Sequence, residues 1–226
     1  SIISPNANYS FEVGDKVDIV WNWEGDLSNV KLEYSTDNGA SWQTIASSVS
    51  NSGHYLWTIP NTPSSNCLIK ISNPTDASIY DISDVPFTIL KPRVEVVRPI
   101  QNDSLYVGSY YPVHWNWKGE IGNVKIELKY KTQAGVNWYT ITSSTTNDGA
   151  FVFQVPNAVS DTCQIKITSL NDPTIFSESE VFKIVSPKII LTYPNLPLEF
   201  IEGEYREITW VNRGRFSNAR IQYSYD

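Results

Sequence analysis

Internal repetition constrains this chain more than any other feature. The segment VGDKVDIVWNW at Val13 to Trp23 returns as VGSYYPVHWNW at Val107 to Trp117, and again as EGEYREITWVN at Glu202 to Asn212. Its tryptophans Trp21, Trp115 and Trp210 thus recur about every 95 residues. Downstream, NVKLEYS at Asn29 answers NVKIELKY at Asn123 and NARIQYS at Asn218, and SVSNSGHYLWTIPNTPSSNCLIKIS answers STTNDGAFVFQVPNAVSDTCQIKIT. Two complete copies are followed by the first part of a third, which aligns Asp226 with Asp37. The expected organisation is a repeat over 1–90, a second over 91–185 and an incomplete third over 186–226, cut from a longer array.

Within each copy the apolar residues alternate, the mark of a half-buried strand. Val17, Ile19, Trp21 and Trp23 share one face, as do Val113, Trp115 and Trp117. Tyr55, Trp57 and Ile59 form a second inward row, matched by Phe151, Phe153 and Val155; Cys67, Ile69 and Ile71 form a third, matched by Cys163, Ile165 and Ile167. Aromatics are 13% of the chain and charged residues only 18%, the balance of strands built from aromatic and β-branched residues. About seven short strands per copy, with turn residues between them and no helical period, predict an all-β fold of tandem Ig-like or fibronectin-III-like antiparallel β-sandwiches. ILKPRVEVVRP and IVSPKIILTYP run the last strand of one copy through Pro92 or Pro187 into the next without a Gly/Ser spacer, and proline stiffens such a joint, so a rod is the expected shape.

The order V-G-x-x-x-x-I-x-W, N-V-K-x-E-x-S, N-x-G-x-Y-x-W-x-x-P, I-K-I-S and S-D-x-x-F-T-I resembles the Ig-like module of the Ser/Thr-rich GPI-anchored membrane family of fungal cell-wall proteins. Similar modules recur in arrays within secreted and surface proteins of bacteria, including gliding and type IX-secreting ones. The resemblance covers both complete copies and the fragment. It implies an extracellular or cell-surface, non-catalytic spacer or adhesive role and supplies no catalytic residues. Its motifs are core and turn positions, which specify a fold better than a partner.

One octapeptide raises a rival reading. STDNGASW, Ser35 to Trp42, fits S-x-D-x-G-x-x-W, the aspartate box that recurs in sialidases. Asp37, Asn38 and Gly39 are residues that tolerate left-handed backbone angles, an aspartate accepts bonds from turn amides, and Trp42 can fold back as a lid, so the motif reads as a hairpin. The second copy, KTQAGVNW, keeps Gly135 and Trp138 but places Gln133 where Asp37 stands. A sialidase also needs an arginine cluster and a tyrosine–acid nucleophile pair, which Arg93, Arg98, Arg206, Arg213, Arg215 and Arg220 do not pattern.

Other chemistry is equally sparse. Cys67 and Cys163 stand at equivalent places, one per copy, and read as buried unpaired thiols rather than a disulfide. His54 and His114 are non-equivalent, so no ligand set repeats. The acidic stretch DASIYDISD, Asp76 to Asp84, reads as a solvated loop in preference to a calcium site. Tyr9, Tyr80, Tyr106, Tyr110 and Tyr139 lie near loops or on polar faces and could stack on sugar rings. NYS at Asn8 and NDS at Asn102 fit N-glycosylation tripeptides. The net charge of −7 argues against nucleic acid, which requires clustered Lys and Arg. No apolar run approaches the roughly 18 residues of a membrane span, and no signal peptide stands in the sequence. The chain has no Met, as expected of a processed or excised segment.

No residue is therefore singled out as catalytic, cofactor-binding or metal-ligating, and no cofactor is expected. The sequence reads as a non-enzymatic stalk or repeat segment of a larger surface protein. Its expected partners are further repeats of the same parent chain and a cell-surface glycan or protein. The alternative is an accessory carbohydrate-binding array attached to a secreted enzyme outside this chain.

Overall fold

The computed structural model describes residues 1–224; the alignment of Asp226 with Asp37 falls outside the described residues. The chain divides into two compact units, Ser1–Arg93 with Trp117–Ile121, and Val94–Asn116 with the chain from Gly122 onward. Twenty strands and no helix are present among the described residues.

The first sandwich holds β1 (Ile2–Ser4), β2 (Ser10–Glu12), β3 (Lys16–Trp21), β4 (Asn29–Ser35), β5 (Gln43–Ser50), β6 (His54–Thr58), β7 (Ser64–Ser72), β8 (Tyr80–Ile82) and β9 (Phe87–Leu90). One sheet runs β1-β3-β6; the other runs β2-β9-β7-β4-β5, with β8 on β7. Alternation dictates this pairing of faces, since each sheet has one apolar side to hide. Ile19 and Trp21 of β3 and Trp57 of β6 meet Leu32, Cys67, Ile69, Phe87 and Ile89 of the other sheet in one buried core. The Trp57 and Phe87 rings meet edge to face at 6.2 Å.

The second sandwich repeats the plan with β10 (Arg93–Arg98), β11 (Ser104–Tyr106), β12 (Tyr110–Lys118), β13 (Val124–Thr132), β14 (Gly135–Thr145), β15 (Ala150–Gln154), β16 (Ser160–Ser169), β17 (Phe176–Glu178) and β18 (Phe182–Val185). Its sheets are β10-β12-β15 and β11-β18-β16-β13-β14, with β17 on β16. Val113, Trp115, Phe153, Cys163, Ile165 and Ile167 are all buried, as their alternation predicts.

Two expectations about the strands need correction. The expected seven or so strands per copy are nine, and the chain enters through two of them: β1 pairs antiparallel with β3, whereas β2 pairs parallel with β9, and β11 likewise runs parallel to β18. Pro5 and Pro99 stand just after β1 and β10, where a residue without an N–H has no ladder bond to donate and favours the point at which the chain leaves for the other sheet. The parallel pairing is open to it because first and last strands are joined through the whole domain, not by a tight hairpin. Second, Trp23 and Trp117 do not complete the inward row. Trp21 and Trp115 are each 2% exposed, but Trp23 is 46% and Trp117 39%. Trp23 lies beyond the end of β3 at Trp21, and Trp117 stands one residue before the end of β12 at Lys118, so both outer tryptophans sit at the margin of their sheets.

Residues after the second sandwich form a two-stranded antiparallel sheet, β19 (Lys188–Tyr193) with β20 (Thr209–Arg213). Trp210 is 38% exposed, unlike its counterparts Trp21 and Trp115, because no described strand lies over this pair. The end of β20 is tied down by Arg215 N donating to Val107 O at 3.1 Å. Gly214 beside it has φ +83°, and a Cβ there would come within 2.7 Å of Val107 O, so only glycine fits.

Candidate functional site

The aspartate-box octapeptide lies at the β4–β5 hairpin. Asn38 and Gly39 adopt φ of 58° and 89°, the left-handed angles the turn demands. Asp37 accepts from Ser41 N at 2.8 Å, from Ser41 Oγ at 2.6 Å and from Ser35 Oγ at 2.7 Å. Ser35 Oγ accepts in turn from Gly39 N at 2.8 Å. Among the described residues these carboxylate partners are serines, and no arginine pairs with Asp37. In the second copy Gly135 has φ 108° and Ala134 N donates to Thr132 Oγ1 at 3.2 Å, so a hydroxyl braces the turn where a carboxylate did.

The serine bonds stabilise the carboxylate and lower the Asp37 pKa from 3.8 to about 2. A folded-state pKa below the unfolded value stabilises the fold above pH 3.8, and that contribution is lost as pH falls toward 2. A carboxyl-carbon NMR titration should place the Asp37 midpoint near 2, and Ser41→Ala should raise it. A midpoint near 3.8 in the parent would mean that the serine cage is not formed.

The other candidates are dispersed. Cys67 and Cys163 are unpaired and fully buried, burial pushes both thiols up, and their Sγ atoms point at Ser64 O and Ser160 O at 3.4 and 3.6 Å. His54 lies on β6 and His114 on β12. In the acidic stretch Asp81 accepts from Ile2 N at 2.7 Å and Asp84 from Asn6 Nδ2 at 3.0 Å, so two of its carboxylates fasten the entry segment. Among the described residues no group of three His, Cys, Asp or Glu could hold a metal ion. Tyr9, Tyr80 and Tyr110 are exposed; Tyr106 and Tyr139 are half-buried, and Tyr139 stacks on Tyr130 with ring centroids 4.2 Å apart. No described helix is long and apolar enough to cross a membrane, which says nothing of a β-barrel.

Sequence reasoning missed two repeated constellations. Trp21 Nε1 donates to Asn51 Oδ1 at 2.7 Å, and Trp115 Nε1 donates to Asn147 Oδ1 at the same 2.7 Å. Lys70 Nζ stands 5.5 Å from the Trp42 ring and 5.1 Å from the Tyr80 ring; Lys166 Nζ stands 5.5 Å from Trp138 and 4.3 Å from Phe176. Each lysine lies over two aromatic rings, which draws them together across the outer sheet face. The signal was present in the recurrence of N-x-G and I-K-I in both copies.

No family model and no curated protein matches the chain. Among solved structures it is similar to the fibronectin(III)-like modules of Clostridium thermocellum CbhA, at 18% identity over 82% of this chain and 93% of that one, with a TM-score of 0.30. It is similar to the N-terminal eight Ig domains of Down Syndrome Cell Adhesion Molecule, at 9% identity over 84% of this chain and 27% of that one, TM-score 0.31. The mixed-linkage glucan utilization protein SGBP-B of Bacteroides ovatus, solved with a mixed-linkage heptasaccharide, matches at 10% identity over 96% of this chain and 59% of that one, TM-score 0.27. Likeness of this degree carries no role across, and the fold class stands on the chain's own sheets: all-β, with sandwiches of the Ig and fibronectin-III kind.

Proposed function

We propose that this chain is a non-catalytic tandem Ig-like stalk or repeat segment of a larger extracellular or cell-surface protein, structural or adhesive in purpose. Its modules are residues 1–90, 91–185 and an incomplete 186–226, of the kind seen in the Ser/Thr-rich GPI-anchored family and in bacterial surface arrays. Its partners are further repeats of the parent chain and a surface glycan or protein. One observation carries this reading: what the two copies share is framework, whereas the one motif with a catalytic namesake is not shared. The Trp21–Asn51 bond recurs as Trp115–Asn147, but Asp37 is replaced by Gln133. Repeated buried anchors beside a carboxylate that one copy lacks support a role that depends on the fold and not on that motif.

Single-molecule extension of the full chain tests it. Two separate unfolding events are expected, each lengthening the chain by roughly 300 Å less the folded span, as about 90 residues at 3.3–3.6 Å each require. One event releasing the whole length, or release of sialic acid from a sialoside by the same preparation, would overturn the reading.

A further inference from the structure

The two sandwiches differ where β14 and β15 border the gap between the sheets. In the second sandwich this edge holds a groove of about 430 Å³, within the size of small-molecule sites. Leu128 and Phe153, both buried, form its floor, and Tyr130, Tyr139, Thr140 and Gln154 stand at its walls and rim. The aligned floor positions of the first sandwich are Tyr34 and Trp57, whose rings meet 5.1 Å apart, and Tyr34 Oη donates to Gln43 Oε1 at 2.7 Å. Tyr and Trp thus fill the positions that Leu and Phe take in the second sandwich.

The exchange is not a simple loss of volume. Leu128 pairs in register with Tyr139 as Tyr34 does with Gln43, so the smaller floor residue comes with a larger rim residue. Tyr130, two residues after Leu128 on β13, adds a second ring, and the Tyr130 and Tyr139 rings stack at 4.2 Å with 24° between their planes. An aromatic pair has moved from the floor to the rim and left a cleft behind it. Gln154 Nε2 donates to Gly108 O at 3.3 Å, which orients its amide at one end.

The lining decides the class of ligand. It contains no Asp, Glu, Lys, Arg or His, so an ionised group would lose its hydration without gaining a counter-charge. Aromatic and aliphatic surface lies below, and phenol, hydroxyl and amide groups stand around it. A neutral ring with an apolar face and a hydroxyl-bearing edge satisfies both. We propose that this groove binds a neutral pyranose ring of a glycan, giving the second sandwich a ligand site that the first lacks. This rests on the glycan partner of the proposed function and is separable from the stalk role, since the extension experiment reads no ligand.

The test titrates the full chain with cellohexaose and mannohexaose as neutral probes and hexagalacturonate as a charged one, read by saturation-transfer NMR. Saturation should reach at least one neutral hexaose and not the hexagalacturonate. Tyr139→Ala should weaken the neutral probe tenfold or more. L128Y/F153W installs the residues that the first sandwich already accommodates, and should abolish transfer while the protein stays folded. If that variant does not fold, Tyr139→Ala decides alone. Transfer to neither neutral probe, equal transfer to hexagalacturonate, or binding undiminished in Tyr139→Ala would each overturn the site.

Discussion

Trp115→Ala should destabilise the second sandwich by about 3–5 kcal/mol and leave the first nearly unchanged. The indole is 2% exposed, so its removal leaves a cavity, and the loss of Nε1 also takes the donor from Asn147 Oδ1 at 2.7 Å. Against a typical domain stability of about 5–15 kcal/mol the effect is severe. Calorimetry should resolve two transitions, with one lowered by more than roughly 10 °C, because 1 kcal/mol moves a domain of this size by about 4–8 °C. Trp21→Ala should do the same to the other transition. Movement of both transitions by either variant would mean that the two sandwiches unfold as one cooperative body, and the proposed boundary near residue 91 would fall.

Ser179→Ala should remove about 1–3 kcal/mol although it deletes a single oxygen. Ser179 N donates to Ile165 O at 2.8 Å, and Ser179 Oγ accepts from Ile165 N at 2.9 Å. Both residues are buried, so alanine would leave the Ile165 amide without its acceptor in the core. Ser83 makes the same pair of bonds with Ile69, at 3.0 and 3.1 Å, so Ser83→Ala should weaken the first sandwich similarly. Hydrogen exchange at Ile165 and Ile69 reports it directly: protection should fall at the amide that loses its hydroxyl. Unchanged protection and an unchanged unfolding midpoint would mean that water reaches the vacated position and replaces the bond.

These serines mark the line between what could and could not be read in advance. Both belong to recurring S-D and S-E segments, so their recurrence was visible, but not the backbone amide 14 residues away that each one satisfies. The turn at Asp37 to Gly39 was legible because its chemistry is local: left-handed angles and short side-chain bonds involve neighbours within about four residues. The groove at Leu128 and Phe153 was not, since substituting one apolar residue for another leaves the alternation unchanged. Only the facing sheet decides whether the lost volume is filled.

Alternation alone determined the inward rows of Ile19 and Trp21, of Cys67, Ile69 and Ile71, and of their counterparts in the second copy, because side chains in a strand point to opposite faces in turn whatever lies around them. Repetition determined that there would be two such sandwiches. Tertiary structure decided where each row stops. Trp23 and Trp117 obey the same alternation as Trp21 and Trp115 yet remain exposed, since they stand past the end of β3 and at the end of β12, and burial requires cover that alternation does not supply. It also decided that the entry strand divides between two sheets and that Trp21 finds Asn51 thirty residues on. A periodic pattern assigns a side chain to a face, but cover and hydrogen-bond partners come from segments distant in sequence, and only the folded chain brings those together.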